Sequence, residues 1–200
     1  MSLPDWIIDL TSLETLRICK CDPNLTSLAN GISCLRPLWE LSIEDCPNLK
    51  TFPYIEELTS LETLVLLSQL HPNLTTLPDE ISKLTSLRSL GITEFPNLTS
   101  LPDGMSGLSS LISFAIARCP NMTSLPVGMS CLTTLHSLSI GDCPNLTFPK
   151  IFYNFVKANK GFNDTITLCP RMPLAATSAA FSATAIMMSL IAPLIDNHSI

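Results

Sequence analysis

The pair Pro-Asn recurs along most of the chain, placing Asn24, Asn48, Asn73, Asn97, Asn121 and Asn145 at successive spacings of 24, 25, 24, 24 and 24 residues. A fixed period of this length commits the chain to a stack of equivalent units, because one such unit cannot bury an apolar face alone and must cover it with its neighbours. Upstream of each Asn stands Leu-x-x-Leu-x-Ile/Leu: Leu13/Leu16/Ile18, Leu38/Leu41/Ile43, Leu61/Leu64/Leu66, Leu87/Leu90/Ile92, Leu111/Phe114/Ile116 and Leu135/Leu138/Ile140. Alternate residues of an extended segment point to one side, so these columns predict one short strand per unit, all facing a shared core.

After each Asn comes an apolar residue and then Leu-Pro or Phe-Pro, at Pro53, Pro78, Pro102, Pro126 and Pro149, whereas the first full unit has Leu28-Ala29. Proline fixes the backbone and removes a donor, which argues against a second paired strand in each unit. The return side is expected to be irregular or 3₁₀, closed by Ile32, Ile81, Met105 and Met129. A bulkier return side bends the stack with its strands on the inside. The sixteen prolines therefore mark repetition and not a linker.

These columns resemble leucine-rich repeats, whose strand motif is Leu-x-x-Leu-x-Leu-x-x-Asn/Cys. The stretch Leu-Thr-Ser-Leu-Arg-Ser-Leu-Gly-Ile-Thr-Glu-Phe-Pro-Asn-Leu-Thr-Ser-Leu-Pro-Asp-Gly-Met at 84–105, with the Cys-Pro-Asn-Leu and Leu-Pro-Asp phrases, is similar to the C-terminal repeats of plant intracellular immune receptors that carry a nucleotide-binding domain. The likeness covers roughly residues 1–149. It implies an α/β repeat fold, a curved solenoid with parallel strands on the concave face and an irregular or 3₁₀ convex side. It also implies a protein-binding role without catalysis, in pathogen recognition or autoregulation. The implied partner is a protein: a pathogen effector, a guarded host protein, or the parent receptor's own nucleotide-binding domain. The other classes weighed are a general intracellular scaffold of the leucine-rich-repeat type and a piece of an extracellular receptor.

Composition and motifs narrow the rest. A net charge of −6, with eleven scattered Lys and Arg, does not supply the clustered basic surface that nucleic acid needs. No Gly-x-x-x-x-Gly-Lys-Ser/Thr phosphate loop is present, so no nucleotide role is carried over. His71, His136 and His198 fall in different parts of the repeat, which assembles neither a metal triad nor a Ser-His-Asp set. Neither an enzyme nor a cofactor or metal site is expected. The chain opens inside a repeat, at Leu3-Pro4-Asp5-Trp6-Ile7, and reads as a fragment whose uncapped edge exposes apolar surface. Nothing at the N-terminus resembles a secretory signal, and a cytoplasmic location is expected. Cys21, Cys46, Cys119 and Cys143 share one slot of the repeat, where reduced, buried thiols are expected. A metal at the Cys19-Lys20-Cys21 pair is a weak alternative. Seven Asn-x-Ser/Thr sequons occur, five of them inside the repeated phrase, where the Asn is expected to hold the turn backbone instead of a glycan.

Binding is expected on the residues between and beside the core leucines, which point out of the concave face. The column after the first Leu holds Glu14, Trp39, Glu62, Arg88, Ile112 and His136, with Trp39 and Ile112 as exposed apolar anchors. The column two residues after the Ile/Leu holds Lys20, Asp45, Ser68, Glu94, Arg118 and Asp142. Strands about 4.8 Å apart set Lys20 against Asp45, and Arg118 between Glu94 and Asp142. Arg17 and Glu44, on the strands themselves, complete the candidate face. Two readings compete for the charges: a self-compensating surface ladder, or a ligand-facing set in which Arg88 and Arg118 determine specificity.

The repeat array is expected to span 1–149, with a partial first repeat and about six turns. Residues 150–170 form a degenerate repeat or C-terminal cap, in which Ile151–Lys157 is helical in pattern and Thr165–Pro170 could be one more strand. Residues 171–200 form an apolar tail. Its uncharged run 172–195 is long enough to span a bilayer but rich in Ser, Thr and Ala, and a membrane anchor is not expected.

Overall fold

The computed structural model describes residues 5–28, 30–49, 55–67, 74–147 and 166–169. Each Leu-x-x-Leu-x-Ile segment becomes a strand: β1 Thr15–Cys19, β2 Glu40–Glu44, β3 Thr63–Leu67, β4 Ser89–Thr93, β5 Ser113–Ala117 and β6 Ser137–Gly141. A further strand, β7 (Ile166–Cys169), pairs with β6. All seven lie parallel in sequence order in one sheet. The register repeats without a slip: Leu16, Leu41, Leu64, Leu90, Phe114 and Leu138 stand side by side, as do Ile18, Ile43, Leu66, Ile92, Ile116 and Ile140. Burial of these two columns fixes the register, because a one-residue slip would turn both out of the core.

The return side runs through 3₁₀ turns: η1 Asp5–Asp9, η2 Asn30–Cys34, η3 Asp79–Lys83, η4 Asp103–Gly107 and η5 Val127–Cys131. Pro78, Pro102 and Pro126 precede the last three with φ of −67°, −63° and −65°, the value the ring imposes. Ile32, Ile81, Met105 and Met129 plug each return turn and are fully buried. The core is one continuous cluster running from Ile7 to Ile140. Parallel strands inside, 3₁₀ turns outside and one core between them define a leucine-rich-repeat solenoid.

Two hydrogen-bonded seams outside the main sheet tie each turn to the one before. Asn48, Asn121 and Asn145 donate through Nδ2 to the carbonyls of Pro23, Pro96 and Pro120, each at 2.8 Å. Thr99, Thr123 and Thr147 each donate both N–H and Oγ1 to the carbonyl of the Thr one turn earlier. The prolines therefore do not abolish a second strand pairing. They cut it to single parallel bridges, Thr76 with Ser100 and Ser124 with Thr147, just ahead of Pro78, Pro102 and Pro126. At β1, Leu16 and Ile18 are only half-buried, and Trp6, Ile8 and Leu10 are exposed.

One expectation fails in the cysteine slot. Cys21 and Cys46 form a disulfide, with Cα atoms 4.7 Å apart, instead of two reduced thiols. Adjacent strands hold equivalent Cα atoms at about the separation a disulfide spans, so one slot filled by Cys in two successive turns meets that requirement directly. It also removes the Cys19/Cys21 metal pair, because Cys21 is bonded elsewhere. The segment 148–165, Ser68, His71, His198 and the tail 172–195 lie outside the described residues.

Candidate binding face

The candidate residues sort into a floor and two rims. On the entry side, Glu14, Trp39, Glu62, Arg88 and Ile112 stand one residue before their strands or the next strand's partner, and the carbonyl of each accepts two N–H groups from the following turn. Trp39 and Glu62 in that turn donate to Glu14 and Trp39, Arg88 donates to Glu62, Ile112 to Arg88 and His136 to Ile112, at 2.8–2.9 Å. The backbone thus locks the column into one row. Trp39 stands 40% exposed, an indole held at the mouth of the face. Ile112 differs from expectation: it is half-buried between Arg88 and His136 in the row and offers less apolar surface. His136 is exposed, with Nδ1 2.5 Å from the Thr134 carbonyl.

The exit rim is made by Lys20, Asp45, Glu94, Arg118 and Asp142, and all five adopt positive φ, between 48° and 63°. This left-handed geometry turns the chain out of the strand while the ladder continues: Lys20 N–H reaches the Glu44 carbonyl, Asp45 that of Leu67, Glu94 that of Ala117 and Arg118 that of Gly141. The side chains consequently stand in a row at the strand ends. Arg118 sits between two carboxylates, 2.5 Å from Glu94 and 4.0 Å from Asp142. Arg88 pairs with Glu62 at 3.5 Å on the entry rim, and Arg17 with Glu44 at 3.4 Å across β1 and β2. These are part-exposed pairs, each worth roughly 0–1 kcal/mol to the fold.

Between the rims runs a floor of which the sequence columns single out only Arg17. Its middle row is Arg17, Ser42, Val65, Gly91, Ala115 and Ser139, in strict register. The side chains shrink toward β4 and β5. Ser42, Val65, Leu67, Ser89, Thr93, Ser113, Ala115 and Ala117 are buried yet lie outside the core cluster, on the face opposite the leucines. Thr93 Oγ1 is the one buried side-chain oxygen among the described residues without a hydrogen-bond partner. Its register neighbours are Leu67 and Ala117, which offer it nothing polar. The signal for this floor lies in the residue between the second Leu and the Ile of each motif, a column of small side chains from Ser42 to Ser139 that follows Arg17.

Among the described residues no group of three or more His, Cys, Asp or Glu side chains could hold a metal. Among them, too, no helix is long and apolar enough to cross a membrane. In two of the sequons the Asn side chain is held by the fold, with Asn121 and Asn145 donating to proline carbonyls, and Thr99, Thr123 and Thr147 are bonded to the preceding turn.

The fold places the chain among leucine-rich-repeat solenoids. Among solved structures it is similar to a leucine-rich-repeat protein of Leptospira interrogans, with a TM-score of 0.53 and 23% identity, covering 77% of this chain and 43% of that one. It is also similar to the leucine-rich-repeat domain of the type III effector XopL, with a TM-score of 0.43, 20% identity, and coverage of 82% and 79%. The chain thus spans less than half the length of the Leptospira protein. No family model matches, and a search of curated proteins gives no significant match.

Proposed function

We propose that this chain is a protein-binding repeat domain of the plant defence type, recognising a pathogen effector, a guarded host protein or its parent receptor's nucleotide-binding domain. The observation that carries the binding role is the pair of charged rims, the Glu14–His136 column on one side and the Lys20–Asp142 column on the other, each held in a row by the backbone ladder. Across the face Glu14, Glu40, Glu44, Asp45, Glu62, Glu94 and Asp142 outnumber Arg17, Lys20, Arg88 and Arg118. That balance suits a partner segment with basic groups, with Trp39 as apolar anchor. The defence setting and a cytoplasmic location rest on the likeness of 84–105 to plant immune receptors.

The test is co-precipitation of the full chain from plant tissue with and without Glu14→Lys plus Glu62→Lys, and with Trp39→Ala. Loss of the same partner in both, at unchanged circular dichroism, supports the reading, and retention in both overturns it. The Cys21–Cys46 disulfide favours a second reading, an extracellular receptor ectodomain, since disulfides persist in oxidising compartments. Enzymatic deglycosylation separates the two. A sharp band of unchanged mass sinks the extracellular reading, and a drop in mass sinks the cytoplasmic one.

A further inference from the structure

The slot that holds Cys21 and Cys46 recurs in the two turns that carry β5 and β6, where it holds Cys119 and Cys143. Every local feature is repeated there. Each cysteine follows a residue with positive φ: Lys20 at 50°, Asp45 at 48°, Arg118 at 53° and Asp142 at 50°. The N–H of Arg118 reaches the Gly141 carbonyl as that of Lys20 reaches the Glu44 carbonyl, so the two turns stand in the same register as the bonded pair. Three of the four sulfurs lie 3.3 Å from the carbonyl two residues earlier: Cys46 at Glu44, Cys119 at Ala117 and Cys143 at Gly141. Phe95 fills the slot on the other side of Cys119, so Cys143 is the thiol that Cys119 meets within its row.

We propose that Cys119 and Cys143 form a second, reversible disulfide site whose oxidant is a low-molecular-weight disulfide of the glutathione type. The accessibility of the two thiols sets the order of events. Cys143 is half-buried and Cys119 fully buried, so the oxidant meets Cys143 first. Hydrogen bonding with Cys119 draws the Cys143 thiol below the ordinary cysteine range, while the same contact and burial hold Cys119 above it. Cys143 thiolate attacks one sulfur of oxidised glutathione, the glutathione S–S bond breaks, and one glutathione leaves as thiolate and takes up a proton. Cys119 then gives up its proton and attacks Cys143 Sγ of the mixed disulfide, expelling the second glutathione. Two thiols and one oxidised glutathione become one protein disulfide and two reduced glutathiones, with two electrons passing to glutathione.

The consequence falls on the exit rim. Arg118 and Asp142 immediately precede the two cysteines and face each other at 4.0 Å, so the cross-link would clamp the spacing of the charged row next to it.

The full chain carrying Cys131→Ser, which removes an exposed competing thiol in η5, is incubated with oxidised glutathione and free thiols are alkylated. Cyanogen bromide then cuts after Met122 and Met129, placing Cys119 and Cys143 on different fragments. The expected result is coordinate loss of alkylation at both residues and a joined fragment pair that dithiothreitol separates. Cys119→Ala is expected to leave glutathione trapped on Cys143, and this variant is compared by circular dichroism before use. If both residues remain alkylatable in the Cys131→Ser chain, or if Cys143 holds glutathione while Cys119 stays free, the proposal is overturned whether or not the Cys119 variant folds.

Discussion

At the scale of single residues, the face is shaped by two departures from ordinary side-chain behaviour. Thr93 keeps a buried hydroxyl with no partner between Leu67 and Ala117. Thr93→Val removes an unsatisfied donor at similar shape, and is expected to raise stability by about 1 kcal/mol in urea unfolding; a fall would mean the hydroxyl has a partner in solution. Lys20 is exposed and sits at φ 50°, where a Cβ is disfavoured. Lys20→Gly relieves that strain but loosens the unfolded chain, so a net gain of roughly 0.5–1 kcal/mol is expected from the same measurement. Neither feature was legible beforehand. Lys, Glu and Arg carry no turn signature, so the period located Lys20, Glu94 and Arg118 in a column without revealing its left-handed backbone. The rim charges themselves were legible, because a parallel ladder with a constant period places equal offsets side by side. That is why Arg118 falls between Glu94 and Asp142.

At the scale of elements, the strands and the 3₁₀ turns hold their spacing by different means. Strands are positioned by backbone pairing and by the core columns, so Phe114→Ala, which empties a fully buried site in β5, is expected to cost about 3–5 kcal/mol in chemical denaturation. The convex turns η3, η4 and η5 instead approach through glycine. A Cβ on Gly107 would lie 2.4 Å from the Ser82 carbonyl oxygen, and one on Gly128 2.6 Å from that of Asp103. Gly107→Ala is therefore expected to destabilise by roughly 1–3 kcal/mol, read as a lower Tm, since the obstacle is backbone and not a movable side chain. The 3₁₀ side was legible from Leu-Pro and from the plugs at Ile81, Met105 and Met129. The glycines were not, because their function lies between turns and no local pattern reports it. The disulfide departs from the expected reduced thiols for a related reason: a small apolar slot and a cross-link call for the same residue, and the same slot holds a bonded pair at Cys21 and Cys46 and free thiols at Cys119 and Cys143.

At the scale of the molecule, stability is a sum over neighbouring turns, and each turn shares its bonds with the next alone. The half-buried Leu16 and Ile18 of β1, against fully buried Leu90 and Ile92 of β4, make the β1 turn weaker than the β4 turn. Hydrogen exchange is expected to show β1 amides exchanging well before those of β4 and β5, and equal protection along the sheet would contradict this. The general architecture could be read from one period and two apolar columns. The floor of the binding face was harder, since a column of small residues has no chemical signature until the strands are laid side by side. The threonine seam has a further meaning for the chain's history. Each Thr addresses its partner through a carbonyl 24 residues away, and the turns from Thr75 to Thr147 offer the same plug and socket. Excising Phe95–Arg118 would bring Thr123 against Thr75 and β6 against β4, healing the seam with no new bond invented. Such a chain can lengthen or shorten by whole turns in its gene, moving the charges of one rim along the face like type along a composing stick while the scaffold beneath stays the same.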